Sequence, residues 1–298
     1  MTILLTAADA LEVDGRQLPV IAVPWEQFLA FMGDCWEPGQ HICNIGPTGE
    51  GKSTVNVGLL DTRRYVLALD PKGEDETLEA SGWVRVRRIP GEHMPYFGDD
   101  RRAWRRIWQD IAEGRPARVI VGGAADSEAE DARLVDLMRR AIQFARYSKG
   151  WTLYVDEFEL MSSQRMFRLG PPVERMLISA RRAKTSVVTS FQAAAWVSKH
   201  ATRQARYAIM YATGDRAMIK AVAEAMGRDW KVLAEAVDEL DRFYVLVLPR
   251  GKNGGPFILT TARPVNLRPS IVPQVQQRSA WAGLGCAARS PFAPRHRT

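Results

Sequence analysis

Little in this sequence points to a membrane, a secretory route or a metal cage. None of the 298 residues falls in a run of 18 apolar side chains, so no membrane-spanning helix is expected. The opening MTILLTAADALEVDG has no basic stretch and meets Asp9, Glu12 and Asp14 early, which does not fit a signal peptide. Cysteine is scarce. Cys35, Cys43 and Cys286 have neither CxxC spacing nor an even count, which argues against a zinc ribbon or a disulfide scaffold. They read as buried or incidental thiols in a reducing, cytoplasmic compartment. No internal repeat is visible. From Arg268 onward there is no acid, only five arginines among several prolines, and residues 268–298 are expected to form a basic, mobile tail.

What is present is ordinary globular material, 46% hydrophobic and 25% charged, enough for one large core or two smaller ones. The net charge of +7 suggests a polyanionic partner. Arg85, Arg87 and Arg88 form one basic cluster, and Arg101, Arg102, Arg105 and Arg106 another.

Apolar runs alternate with helical patterns along the chain. HICNI (41–45), RYVLALD (64–70), WVRVRRI (83–89), RVIVGG (118–123), WTLYVDEFE (151–159), SVVTSFQ (186–192) and YAIMYATG (207–214) read as strands. Residues 243–261 hold two more apolar runs around a glycine-rich turn, a hairpin pattern. Helices are predicted over PWEQFLAFMGD, from Lys52 to Leu60, from Asp99 to Glu113, over 127–148, over 171–184 with its leading prolines, and from Asp215 to Gly227. In the 99–113 helix, Ala103, Trp104, Ile107, Trp108 and Ile111 form one stripe. The two tryptophans are therefore core residues before they are base-stacking groups, and the arginines form a solvated face. Such alternation specifies an α/β fold, a mostly parallel sheet with helices on both faces and ligands at the carboxyl ends of its strands. The division is residues 1–35 as a lead-in, 36–267 as the main domain, and the tail.

Residues Gly46, Pro47, Thr48, Gly49, Glu50, Gly51, Lys52 and Ser53 fit G-x-x-x-x-G-K-[ST] between a strand and a helix. This is a phosphate cradle. The glycines let backbone N–H groups turn inward, and the helix start adds partial positive charge. Lys52 is expected to reach the β- and γ-oxygens of ATP, Ser53 to ligate Mg²⁺, and Thr54 to serve the α-phosphate. Such a loop needs a second acid for the metal. Asp156, at the end of an apolar strand, supplies it, and Glu157 can polarise an attacking water. A nucleotide switch needs only the first acid, so the pair argues for hydrolysis.

Two further stretches carry a resemblance. SARRAKTSVVTSFQ (179–192) resembles a segment of the HerA/FtsK superfamily of DNA-pumping ATPases, in which an arginine stands eleven residues before a glutamine that ends an apolar strand. Those positions are Arg181 and Gln192. LALDPKGED (67–75) is similar to the strand that follows the P-loop helix in conjugative coupling ATPases, and PGQHICNIGPTGEGKST to their entry into the site. The resemblance spans roughly residues 36 to 250. It implies a RecA-like core, a ring with ATP between neighbours, Gln192 as a sensor of the γ-phosphate, and Arg181 as a finger reaching the next subunit's ATP. Arg182, next door, can fill that role as well. Ala180 and Lys184 replace glycines frequent in the family. Neither the membrane helices of the conjugative type nor a DNA-reading winged helix is expected from these residues. The expected activity is an ATP-hydrolysing, DNA-stimulated motor for viral genome packaging or plasmid DNA transfer. Its partners would be DNA, contacted through phosphates, and a capsid, portal or transfer-machinery protein. The alternative is a regulatory or assembly P-loop ATPase that binds a protein without moving DNA.

Overall fold

The computed structural model describes residues 10–13, 16–73, 76–87, 99–123, 127–163, 167–192, 199–250 and 257–261. The basic tail lies outside them, and so do Arg88 and the turn of the 243–261 hairpin.

The strands are β1 (Ala10–Val13), β2 (Arg16–Ala22), β3 (His41–Ile45), β4 (Tyr65–Asp70), β5 (Val84–Val86), β6 (Ala117–Gly122), β7 (Trp151–Val155), β8 (Ser186–Phe191), β9 (Ala205–Tyr211), β10 (Tyr244–Pro249) and β11 (Phe257–Thr261). They form one sheet in the order β1-β2-β11-β10-β9-β3-β8-β7-β4-β6-β5. Among these strands only β1 and β10 run against the rest. The residues read as a lead-in thus add two strands to the sheet, since β2 pairs with β11. The 243–261 hairpin forms as expected, β10 against β11.

The central strands are apolar at nearly every position because both faces are covered. Alternate side chains go to opposite layers, as the two-residue period of a strand requires. Val66 and Ala68 of β4 pack with α1 (Trp25–Cys35), α2 (Lys52–Asp61) and Leu78 of α3 (Glu76–Ala80). Leu67 and Leu69 point the other way, into a larger core. That core is closed by α4 (Asp99–Ala112), α5 (Glu128–Tyr147), α6 (Phe158–Ser162), α7 (Gly170–Ala183), α8 (Lys199–Gln204), α9 (Arg216–Met226) and α10 (Trp230–Asp238).

Helix caps follow the sequence signals. Asp215 accepts a hydrogen bond from the Met218 amide at 3.0 Å, and α9 ends on left-handed Gly227. Helix α10 escaped the sequence reading although it has a legible cap, Asp229 accepting from the Lys231 amide at 2.9 Å, and apolar positions at Val232, Leu233, Ala236 and Val237. In α4, Trp104 is core, but Trp108 is 40% exposed while stacking on Trp104 and Phe144. Ile107 is buried and Ala103 and Ile111 pack against the same core, so the stripe runs its full expected length with Trp108 at its edge. Arg102, Arg105 and Arg106 are exposed, as a solvated face should be. The strand expected over 151–159 stops at Val155, and α6 begins at Phe158. Cys43 is buried, its thiol pushed up to about 12 by desolvation.

His41, the first residue of β3, is buried in this core. The Val187 amide donates to its Nδ1 at 3.0 Å, so Nε2 carries the hydrogen directed at the Leu177 carbonyl, 3.1 Å away. Burial pushes its pKa down from 6.5 to about 4. Between those values the unfolded chain binds a proton that the folded chain refuses, so stability falls as pH drops. The expected loss from pH 7 to pH 5 is about 2 kcal/mol. Urea midpoints at the two pH values check it, and His41→Gln should flatten the slope.

Candidate active site

The loop from Gly46 to Gly51 joins β3 to α2. Gly51 occupies the N-cap of α2 at φ 92°, a left-handed conformation that only glycine takes at low cost. Gly46 is needed for space, since a Cβ there would lie 2.7 Å from Cδ2 of Tyr211, whose ring packs against the start of the loop. The Gly46 amide is tied to the Phe191 carbonyl at 3.1 Å, which joins the loop to β8. Lys52 folds back over the loop and donates to the carbonyls of Gly46 (2.7 Å) and Pro47 (2.6 Å). Ser53 and Thr54 stand in the first turn of α2, half-buried. Thr48 and Gly49 are exposed at the tip.

Acids and an amide meet this loop from neighbouring strands, because β8 lies between β3 and β7, and β4 follows. Asp156 and Glu157 follow β7. Glu157 has φ 46° and ψ 56° at the N-cap of α6, an unusual conformation for a residue other than glycine and one that clusters at functional sites. Its Oε1 accepts from Lys72 Nζ at 2.7 Å and from Gln192 Nε2 at 3.0 Å. Gln192 Oε1 in turn accepts from the Thr48 hydroxyl at 2.9 Å, and the Gln192 amide donates to Glu159 Oε1 at 3.2 Å. One glutamine thus ties the phosphate loop to Glu157.

The electrostatics agree with the geometry. Desolvation pushes the Lys52 ammonium below its ordinary pKa, while Asp156, Glu159, Glu157 and Glu50 pull it back up. The Glu159 carboxyl is raised, first by burial. Lys72 is raised by its hydrogen bond to Glu157. Beneath the loop, Asn44 of β3 donates to Asn56 of α2 at 2.8 Å, and Asn56 donates to Ser190 of β8 at 2.8 Å and to the Tyr154 hydroxyl of β7 at 3.1 Å. All four are buried. The network ties the phosphate-loop helix to the strands that carry Asp156 and Gln192, with Asn56 bonded to three partners at its centre and Asn44 Oδ1 left buried without one.

The donor set suits a nucleotide and its cation. The start of α2 offers backbone N–H groups, Lys52 is an ammonium seated on loop oxygens, and Ser53 and Asp156 are hard oxygen ligands of the sort Mg²⁺ takes.

No protein-family model matches the chain, and no curated protein matches it in sequence. Solved structures do match in fold. VirB4 of Thermoanaerobacter pseudethanolicus superposes with a TM-score of 0.50 at 10% identity, over 77% of this chain and 91% of that one. The fold is the mostly parallel α/β fold of the P-loop NTPases, shared with VirB4. Two other matches are the genome-packaging NTPase B204 from Sulfolobus turreted icosahedral virus 2 (TM-score 0.48, 16% identity, 76% and 98% coverage) and the pCW3 conjugation coupling protein TcpA (0.42, 13%, 74% and 59%). Among the described residues no helix is long and apolar enough to cross a membrane.

Within this P-loop fold the residues singled out from the sequence separate into two places. Gly46 through Thr54, Asp156, Glu157 and Gln192 gather at the carboxyl ends of β3, β7 and β8. Arg181 and Arg182 do not. They are exposed in the last turn of α7, with the Arg181 backbone beside Gly39 and its charge felt by His41, at the opposite end of β3 from the loop. Neither reaches the site of its own chain. Four participants escaped the sequence reading. Glu159 stands one helical turn beyond Asp156 and has no other sequence signal. Lys72 lies in the Asp-Pro-Lys-Gly stretch, noticed for its resemblance but given no role. Asn44 and Asn56 are hidden in runs that read as core. The first basic cluster is less available than its charge suggests, since Arg85 pairs with Asp70 at 2.9 Å and Glu79 at 2.5 Å.

Proposed function

We propose that the chain is an ATP-hydrolysing motor of the HerA/FtsK superfamily that acts on DNA as a ring. The observation that carries the reading is Gln192, whose side chain spans from Thr48 of the phosphate loop to Glu157. An amide in that position registers whether a γ-phosphate is present and passes the difference to the residue that handles water.

The roles follow from chemistry. The loop amides and Lys52 bind the β- and γ-phosphates, where developing negative charge is stabilised by fixed donors. Mg²⁺ held by Ser53 and Asp156 would neutralise phosphate charge. Thr54 contacts the α-phosphate. Glu157 accepts the proton of the attacking water. Arg181, or Arg182 beside it, completes the site of the adjacent subunit. That assignment draws support from the arginines' exposure and their distance in the fold from their own loop. Hydrolysis then depends on assembly.

The basic balance supports a polyanionic track, with contacts to phosphates and little dependence on base sequence. Viral genome packaging or plasmid DNA transfer, in the cytoplasm and with a capsid, portal or transfer-machinery protein, fits these features best. The test is ATP hydrolysis with and without long DNA, with particle size measured in ATP. Turnover should rise with DNA, the rise should shrink as salt increases, and a ring, expected to be a hexamer, should form. Hydrolysis indifferent to DNA would transfer the chain to the regulatory or assembly ATPases.

A further inference from the structure

We infer that Lys72 is a latch on Glu157, released when a nucleic-acid phosphate competes for its ammonium. The inference rests on the motor reading and names how the track acts on the site.

The Asp-Pro-Lys-Gly turn after β4 is built to aim one side chain. Asp70 is buried and accepts from the Gly73 amide at 2.9 Å, which closes the turn, and from Arg85 Nη2 at 2.9 Å, which anchors it to β5. Pro71 is buried and Lys72 is exposed. From this fixed base Lys72 reaches across to β7 and places Nζ 2.7 Å from Glu157 Oε1. Gln192 Nε2 is already on the same oxygen. A carboxylate oxygen with two donors, one of them cationic, is held in place and is poorly free to turn toward water.

The two partners differ in exposure. The Glu157 side chain is 18% exposed and that of Lys72 is 58% exposed. An anion arriving from solvent therefore meets the lysine first. An ion pair this open is weak, restraining by no more than about fivefold, so a closely spaced row of phosphates is enough to displace it. Gln192 remains on Glu157, bonded to Thr48, and still reports on the nucleotide. DNA and ATP would then act on one carboxylate through two different donors.

The test compares ATP turnover of wild type, Lys72→Gln and Lys72→Arg, with and without long duplex DNA. Lys72→Gln should raise DNA-free kcat by about two- to fivefold with little change in KM for ATP, and should shrink the further rise that DNA gives. Lys72→Arg, which keeps the charge, should restore the restraint. DNA-free turnover of Lys72→Gln at or below wild type would overturn the latch. This arm needs no DNA response, so a wild type that hydrolyses ATP but ignores DNA would sink the motor reading while still testing the latch. Amine acylation read by mass spectrometry needs no turnover at all. Lys72 should acylate several-fold faster in Glu157→Ala than in wild type, and equal rates would overturn the proposal.

Discussion

Lys52→Ala should reduce ATP turnover by at least about 10²- to 10³-fold, the cost of removing one fixed donor from a developing phosphate charge. The seating of Lys52 explains why the loss is chemical and not structural. The ammonium sits on two carbonyls of its own loop, Gly46 and Pro47, on a half-buried side chain that water can reach. Water can take over both acceptors, so the fold should lose no more than about 1–2 kcal/mol. Removing the cation also leaves Asp156, Glu159, Glu157 and Glu50 facing one another without the charge they surround. Triphosphate binding should weaken strongly, since phosphate would add to that negative field. Titration with a fluorescent ATP analogue, beside a melting curve, separates the two effects. Wild-type turnover in this variant would remove the P-loop from the mechanism.

The sequence made the sheet legible because a parallel sheet covered on both faces writes its strands as unbroken apolar runs. HICNI, YVLALD and SVVTSF could hardly be anything else. The phosphate loop was legible because glycines at fixed spacing have a backbone cause, seen at Gly51 in its left-handed N-cap. The rest was harder for equally physical reasons. Asn44 and Asn56 look like blemishes in apolar stretches, and only the fold shows that they meet each other, Ser190 and Tyr154. Glu159 becomes part of the site because one turn of α6 swings it back over Gln192. The strand expected through residue 159 could not reveal this, since it would have put Glu159 in extended backbone. Arg85 looked like free positive charge until Asp70 and Glu79 came to it from other elements.

Glu157→Gln should lower kcat by about 10²- to 10⁴-fold, the usual contribution of a positioned base, while leaving ATP binding nearly intact. The amide is the same shape as the carboxylate, and its oxygen can still accept from Lys72 and Gln192, so the constellation should persist without a proton acceptor. Equilibrium binding beside steady-state turnover reads the difference, and a fall in affinity equal to the fall in kcat would make Glu157 a binding residue. The same variant tests whether Arg181 serves a neighbour. In a head-to-tail ring each site is shared by two chains. Mixing Glu157→Gln with Arg181→Ala in equal amounts gives about a quarter of interfaces an intact Glu157 on one side and an intact Arg181 on the other. Two nearly inactive preparations should then recover up to about a quarter of wild-type turnover once subunits exchange. If Arg181 acted within its own chain, every site in the mixture would lack one group and no activity would return. Recovery with Arg182→Ala in its place, and none with Arg181→Ala, would move the finger one residue along α7.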